Sequence, residues 1–282
     1  MDIIASIAEL RARLANASRI AFVPTMGNLH AGHIALVNMA RERGDCVVVS
    51  IFVNPLQFGA NEDLANYPRT LQADCEKLAQ AGADIVFTPS DAELYPTPQT
   101  LNIQPPPIAN DLCGAHRAGH FSGVCTVVAK LFNIVQPQVA IFGRKDYQQL
   151  FILREMVKQL DMPIEVLAGE TVREQDHLAM SSRNGYLKPA QRLEAPRLYR
   201  ALQQVVLSTQ SGRRDFDVME TQTRQYLTQL GWIVDYISVR SVATLLPPHP
   251  EEANLVVLGA ARLGSTRLID NIEFCAASAQ AL

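Results

Sequence analysis

The feature that most constrains the fold is a regular alternation of strand-like and helix-like segments over the first two thirds of the chain. The clearest strand is the run 46–53, which is uncharged, rich in β-branched residues and ended by Asn54 and Pro55. Strands that are apolar on both faces and alternate with helices favour a parallel sheet with helices on each side. We therefore predict an α/β fold.

The pattern changes beyond about Gln175. Two helix-like segments there are followed by strands that alternate apolar and polar residues, as in an antiparallel sheet with one exposed face. We predict a larger domain over 1–175 and a smaller one over 176–282. The predicted strands are 19–24, 46–53, 83–88, 139–142, 164–167, 232–239, 254–258 and 266–274, and the predicted helices are 31–43, 69–80, 121–135, 145–160, 189–207 and 216–230.

Composition and charge exclude several classes of protein. The 282 residues include 25 Lys and Arg against 28 Asp and Glu, a net charge of −3, which argues against nucleic acid as a partner but allows a basic pocket for one small anion. Five cysteines form no C-x-x-C pair, which indicates reduced thiols in the cytoplasm. Neither a secretion signal nor a membrane-spanning run is recognisable, so we expect no membrane partner.

The segment 24–33 lies where the first long strand passes into a helix. A helix N-terminus favours anions such as phosphate, and His30 and His33 are spaced to face the same side. Two ordinary histidines on an amphipathic helix are the plainer interpretation. A zinc site is less favoured, because no third ligand follows at a suitable spacing. The loop is neither a Walker A motif nor a G-x-G-x-x-G fingerprint.

Four other groups of polar residues are candidates for chemistry. Asn54 and Gln57 follow the strand 46–53, where ligands of open α/β sheets collect, although Asn-Pro is also a common turn. Lys145 opposes the dipole of a predicted helix, and Asp146 is also suited to capping that helix. The remaining candidates, each of which could be plain surface, are Arg117, His120 and the segment 180–185. The proline-rich segment 89–119 has no clear pattern and is a candidate lid or dimer element.

Taken in order, these segments resemble the pantothenate synthetase family, the pantoate–β-alanine ligases. The His-Ala-Gly-His run at 30–33 resembles the HIGH signature of adenylyl-transferring enzymes, and Met-Ser-Ser-Arg at 180–183 resembles its KMSKS counterpart. Those two alone would admit other members of the superfamily. The motifs that narrow the match are PTMGNLHAGH, SIFVNPLQF, YPRTL, GHFSGV, FGRKDYQQL and MSSRNGYL over 24–187, and RLIDN at 267–271.

The resemblance implies a Rossmann-like N-terminal domain, a smaller α+β C-terminal domain that acts as a lid, and a homodimer. It also implies a reaction in two steps with ATP and Mg²⁺. Pantoate attacks the α-phosphate of ATP, which gives pantoyl adenylate and pyrophosphate, and the amine of β-alanine then displaces AMP. The metal ligands and the dimer interface are not implied.

The resemblance also implies roles for individual residues. His30 and His33 would stabilise charge on the phosphates, with His33 as the usual proton donor, and Gln57 and Gln149 would hold pantoate. The phosphate oxygens would be bound by Lys145, Ser181 and Arg183. The ATP site would be lined by Met26, Gly27, Asn28, Leu29, His30, Ala31, Gly32, His33, Gly143, Arg144, Lys145, Asp146, Val172, Met180, Ser181, Ser182 and Arg183, and the substrate site would add Asn54, Arg117 and His120 to the two glutamines.

Three positions depart from the family's usual pattern. Arg144 stands where Glu is common, Ala118 where Pro is usual and His177 where Gly is common, which leaves nucleotide affinity and lid closure open. Two other functions also stay open: adenylyl transfer to a different small acceptor, which should lack the amide pair Gln57 and Gln149, and a ligand-binding or regulatory protein that has lost catalysis.

Overall fold

The structure, a computed structural model, describes residues 1–59 and 62–276. Its backbone contacts divide into two compact units. The first comprises Met1–Arg144 and Gln149–Val172, and the second comprises Lys145–Gln148 together with the chain from Arg173 onward. The sequence places the division between residues 175 and 176 and does not anticipate that the insert Lys145–Gln148 groups with the second unit.

The first unit contains a parallel sheet, which confirms the α/β prediction. Its strands are β1 (Asp2–Ile4), β2 (Ile20–Thr25), β3 (Cys46–Ile51), β4 (Ile85–Phe87), β5 (Val139–Gly143) and β6 (Glu165–Gly169). Over the described residues their order is β1-β4-β3-β2-β5-β6, and every pair is parallel. Apart from the edge strand β1, this is the doubly wound order, with the change of direction at β2 and β5.

The interior of this sheet is apolar on both faces. In β3, Val48 pairs with Phe22 of β2 and Ile85 of β4, and all three side chains are completely buried. The β-branched run predicted from the sequence is therefore a central strand, as its composition indicates. The sequence does not reveal β1, because three residues are too few to establish an alternation.

Helices flank the sheet near the predicted positions. They are α1 (Ile7–Leu14), α2 (Ala31–Arg41), α3 (Leu71–Ala81), α4 (Asp91–Leu94), α5 (His120–Val135) and α6 (Tyr147–Gln159). The predicted helix over 145–160 begins as a 3₁₀ turn at Arg144–Asp146, so Lys145 precedes the α-helix. The region without a sequence pattern, 89–119, contains α4 and the short 3₁₀ turns Pro107–Asn110 and Gly114–His116.

The second unit combines an antiparallel sheet with helices. The elements are α7 (Pro189–Glu194), α8 (Arg197–Gln210), α9 (Phe216–Gln229), β7 (Ile233–Ser241), β8 (Asn254–Leu263) and β9 (Thr266–Cys275). The sheet order is β7-β8-β9, with β8 in the centre. The single predicted helix 189–207 is two helices, because Pro196 has no N–H with which to continue α7. Leu202, Leu227 and Trp232 are among the buried side chains of this unit's core.

The helices of the described residues differ from helices that span a bilayer. None of those within 1–59 and 62–276 has both the length and the apolar character needed to cross a membrane.

Candidate active site

The predicted site residues of the first unit lie at the carboxyl edge of its sheet. The loop 26–30 follows β2, Asn54 and Gln57 follow β3, and Gly143 ends β5. Since the order of strands changes direction between β2 and β5, this edge is where ligands of doubly wound sheets bind. A cavity of about 350 Å³ opens there beside the ends of β2, β3 and β4, and Met26 and Gly27 are part of its lining.

His30 and His33 face each other at the start of α2, as their spacing predicts. Their ring centroids are 4.1 Å apart. Nδ1 of His30 accepts the N–H of Gly32 at 3.1 Å, and Nδ1 of His33 accepts the N–H of His30 at 3.3 Å. A neutral imidazole whose Nδ1 accepts carries its proton on Nε2. The backbone therefore orients both rings with an N–H donor at Nε2.

Gly32, the residue before His33, has no room for a side chain while His30 keeps its position. A Cβ at Gly32 would lie 2.9 Å from both Cε1 and Nδ1 of His30, closer than real Cβ contacts. Glycine at this position lets the ring of His30 lie over the first turn of α2 and cap it. Some of the backbone N–H groups that were expected to bind an anion at this helix start therefore donate to the histidine rings instead.

Asp74 of α3, which the motifs of the sequence do not include, fixes the loop before His30. Its fully buried carboxylate accepts the N–H groups of Asn28 and Leu29, both at 2.8 Å, and the hydroxyl of Thr70 at 3.0 Å. Lys77, one turn further along α3, donates to the carbonyl of Leu29 at 2.7 Å. One signal in the sequence could have identified Asp74. It is a carboxylate in the apolar stripe of a helix, four residues before the buried Leu78.

Asn54 holds Gln57 in place. The Asn54 amide, 1% exposed, donates to Oε1 of Gln57 and to the carbonyl of Gly123, both at 3.2 Å. Its Oδ1 accepts the Tyr95 hydroxyl at 2.8 Å, and burial raises the pKa of Tyr95 to about 12, so this phenol stays a donor. The Gln57 amide nitrogen lies 2.9 Å from the sulfur of Met26.

Arg117 and His120 form a second support for Gln57. His120 Nδ1 lies 2.8 Å from the Gln57 carbonyl, and its Nε2 lies 2.9 Å from an Arg117 nitrogen. Because a carbonyl only accepts and a guanidinium only donates, His120 is neutral with its proton on Nδ1. Arg117 also makes a bidentate pair with Glu62 at 2.6 and 2.7 Å. Burial would raise the pKa of Glu62, but Arg117 outweighs burial and holds this pKa below its usual value.

Three further predicted residues of the first unit lie around the end of β5. Gly143 pairs with Gly169 of β6, Val172 follows β6, and Gln149 lies in the first turns of α6. Arg144, the unusual cation, pairs with Glu170 at 3.1 Å. Within this unit the charge that Arg144 adds is therefore matched by a neighbouring carboxylate.

The second unit contains the other predicted phosphate-binding residues. Lys145 and Asp146 belong to the insert Lys145–Gln148, and 180–183 belong to the segment after Val172. Ser181 caps the 3₁₀ turn Ser182–Tyr186, because its hydroxyl accepts the N–H of Arg183 at 3.2 Å. His177 has φ +74°, a left-handed conformation that accounts for the glycine usual in the family.

Neither a protein-bound metal site nor a disulfide is found among the described residues. Within 1–59 and 62–276 no group of three or more His, Cys, Asp and Glu side chains is arranged to hold a metal ion. All five cysteines are free thiols, and burial raises the pKa of Cys125 to about 12.

Comparison with known proteins identifies the family. The family model described as pantoate-beta-alanine ligase matches residues 2–273. The pantothenate synthetase of Methylobacillus flagellatus is 68% identical over 274 residues, which cover 97% of this chain and 99% of that protein. A crystal structure of pantothenate synthetase from Thermus thermophilus matches with a TM-score of 0.92 and 45% identity, covering 96% of this chain and 99% of the other.

A third relative was crystallised with ligands. Pantoate-beta-alanine ligase from Francisella tularensis, complexed with beta-gamma ATP and beta-alanine, has a TM-score of 0.82 and 33% identity, and the match covers 96% of this chain and 97% of that one. These matches extend over both units and agree with the motifs that the sequence carries. The chain therefore belongs to the pantoate–β-alanine ligases, the pantothenate synthetase family of enzymes.

Proposed function

We propose that this enzyme condenses pantoate with β-alanine at the expense of ATP, by way of pantoyl adenylate. In the first step a pantoate carboxylate oxygen bonds to the α-phosphorus as the bond to pyrophosphate breaks. In the second, the β-alanine amine bonds to the acyl carbon, the bond to AMP breaks and the nitrogen loses a proton. Family membership and the beta-gamma ATP and beta-alanine bound by the Francisella tularensis relative support this proposal.

The observation that carries the proposal is the orientation of His30 and His33. Attack at phosphorus builds negative charge on oxygen, and donors fixed in advance stabilise that charge most effectively. The two Nδ1 acceptors direct an Nε2–H of each ring toward such a role. We assign both rings to the phosphates of ATP, with His33 as the proton donor.

The remaining ATP contacts are assigned by resemblance to the family. They are the loop 26–33, Gly143, Arg144, Lys145, Asp146, Val172 and the segment 180–183. Lys145 and Arg183 would bind phosphate oxygens as charged donors, and Ser181 would add a hydroxyl.

Pantoate is assigned to Gln57 and Gln149, and Gln57 also approaches β-alanine. The hydrogen bonds from Asn54 and His120 to Gln57 support this assignment, because they hold its amide and its main chain. Asn54 and His120 would thus act mainly by fixing Gln57. Arg117 would act with His120 rather than as an independent carboxylate clamp, since its guanidinium already binds Glu62.

Mg²⁺ is assigned to the ATP phosphates. This ion keeps several waters and commonly binds through substrate phosphates and one or two carboxylates. Among the described residues no cage of three or more ligands is arranged for it, so no protein ligand set is proposed. When bound, it would neutralise phosphate charge. We further propose that the enzyme acts in the cytoplasm as a homodimer on small molecules alone.

ATP–pyrophosphate exchange tests the proposed function. Exchange should depend on pantoate and Mg²⁺ and proceed without β-alanine. His33→Ala should lower the exchange rate by about 10²–10³-fold, the usual cost of losing one oxyanion donor. Ser241→Ala, a change at a buried hydroxyl next to Glu252, serves as a control that should keep the rate. No exchange with folded protein would refute the proposal, and exchange with another acid would favour a different acceptor.

A further inference from the structure

Two residues of β9, Asp270 and Asn271, contact the insert that carries Lys145 and the segment 173–179 that leads to 180–183. They belong to the RLIDN motif, for which the reaction so far provides no role. Each side chain is only 5% exposed although β9 is the edge strand of its sheet. Burying a polar side chain at such a position lowers the stability of the fold unless the side chain is hydrogen-bonded.

Asn271 holds the main chain of Lys145. Its Nδ2 donates to the Lys145 carbonyl at 2.9 Å. The hydroxyl of Tyr147 donates to Glu273, two residues further along β9 on the same face. The insert that carries Lys145 is thus attached to β9 at two points, one of them a main-chain contact that does not depend on the lysine side chain.

Asp270 holds the segment that leads to Met180. Its carboxylate accepts two hydrogen bonds from Arg173, at 2.7 and 2.8 Å, in a bidentate pair that fixes orientation as well as distance. Arg173 also donates to the carbonyl of His177 at 3.1 Å, and its guanidinium lies 4.0 Å from the ring centre of Tyr199.

The same segment folds back on itself directly before the predicted phosphate-binding residues. Arg173 pairs with Ala179 as an antiparallel bridge, and the N–H of Glu174 donates to the carbonyl of Leu178 at 2.8 Å. Fixing Arg173 therefore fixes the start of 180–183. Oδ1 of Asp270 also accepts the N–H of Asn271 at 2.8 Å, which couples the two anchors.

We propose that Asp270 and Asn271 are positioning residues for adenylate formation. Asn271 sets the main chain of Lys145, and Asp270, through Arg173, sets the segment that carries Ser181 and Arg183. The inference rests on the proposed function, since it needs Lys145 and Arg183 to bind the phosphates. A misplacement of 1 Å in a catalytic group can cost about 10²-fold in rate, so loss of an anchor should be visible in the kinetics.

The test measures kcat and KM for ATP in pantoate-dependent exchange, together with thermal unfolding. Asn271→Leu, which keeps the branching at Cγ and lacks the donor, should raise the KM for ATP and lower kcat/KM by about tenfold, as expected for a shift of less than 1 Å. In a Lys145→Ala background the same change should have no further effect. Ser241→Ala should lower the melting temperature without changing the KM for ATP.

A parallel cycle tests the second anchor. Since Asp270→Ala leaves the half-buried Arg173 without its carboxylate partner and can prevent folding, Arg173→Lys is the informative change. It keeps the charge and loses the bidentate geometry. Its effect on kcat/KM should disappear in an Arg183→Ala background.

The possible outcomes separate the two proposals. Additive effects in both cycles, or an Asn271→Leu variant that loses only stability as the Ser241→Ala control does, would overturn the positioning role alone. An unchanged exchange rate in Lys145→Ala and Arg183→Ala would overturn their assignment to the phosphates and the positioning role with it. Non-additive effects in both cycles would support the positioning role of Asp270 and Asn271.

Discussion

Replacement of Gly32 by alanine should separate catalysis from stability in this enzyme. The new Cβ would lie 2.9 Å from Cε1 and Nδ1 of His30, and 3.9 Å from Cβ of Val172, so the crowded neighbour is the end of a side chain that can rotate away. Rotation breaks the cap between His30 Nδ1 and the Gly32 N–H, which costs about 1 kcal/mol. Alanine in place of glycine in a helix returns about the same amount.

These opposing terms predict a small change in the free energy of unfolding and a large change in rate. The melting temperature should stay within roughly 2–4 °C, the shift that about 1 kcal/mol produces in a protein of this size. The exchange rate should fall by about 10²-fold, because the Nε2–H of His30 is displaced by about 1 Å or more. Steady-state exchange and differential scanning calorimetry on one preparation measure both quantities.

Gly44→Ala is the matched control for this experiment. A Cβ at Gly44 would lie 2.8 Å from main-chain atoms of Arg19 and Ala21, which cannot rotate away. This variant should lose about 1–3 kcal/mol of unfolding free energy and keep its exchange rate per folded molecule. If Gly32→Ala instead kept its exchange rate per folded molecule, as Gly44→Ala should, the orientation of His30 by its cap would not be the source of the rate.

Two further predictions concern stability. His177→Val should cost about 2 kcal/mol of unfolding free energy, since a β-branched residue is strained at φ +74°, whereas His177→Gly should stay within about 1 kcal/mol; equal losses in urea unfolding would contradict this reasoning. The folded-state pKa of Glu62 lies below its unfolded value of about 4.3, so its contribution is present above that pH and is lost as the pH falls through the folded pKa. The difference in unfolding free energy between the native chain and Glu62→Gln should therefore shrink from pH 5 to pH 3; a difference independent of pH would contradict the pairing with Arg117.

The sequence predicted the fold because its strands are separated by strong signals. The run 46–53 is apolar, β-branched and followed by Pro55, and it forms the central strand β3. The break at Pro196 was missed because apolar spacing continues across it, although a proline has no N–H for the helix. The strand β1 was missed because its three residues pair only with the distant β4.

The motifs of the candidate site could be predicted from the sequence. The residues and hydrogen bonds that hold those motifs in place could not. His30 and His33 could be paired from their spacing, yet the direction of their rings depends on two backbone N–H groups that spacing does not reveal. Asp74 is 45 residues from Leu29 in the chain and acts only through the folded contact of α3 with the loop. Long-range supports of this kind depend on packing, which periodicity alone does not encode.

The most direct test of the proposed chemistry follows oxygen from pantoate. With both carboxylate oxygens labelled as ¹⁸O, a pantoyl adenylate transfers one label to AMP, because the oxygen that attacks phosphorus stays with it when the amine displaces AMP. The other label stays in the amide carbonyl of the product. Mass spectrometry should find one ¹⁸O in AMP and none in pyrophosphate. Unlabelled AMP, or label in inorganic phosphate formed together with ADP, would contradict the adenylate mechanism.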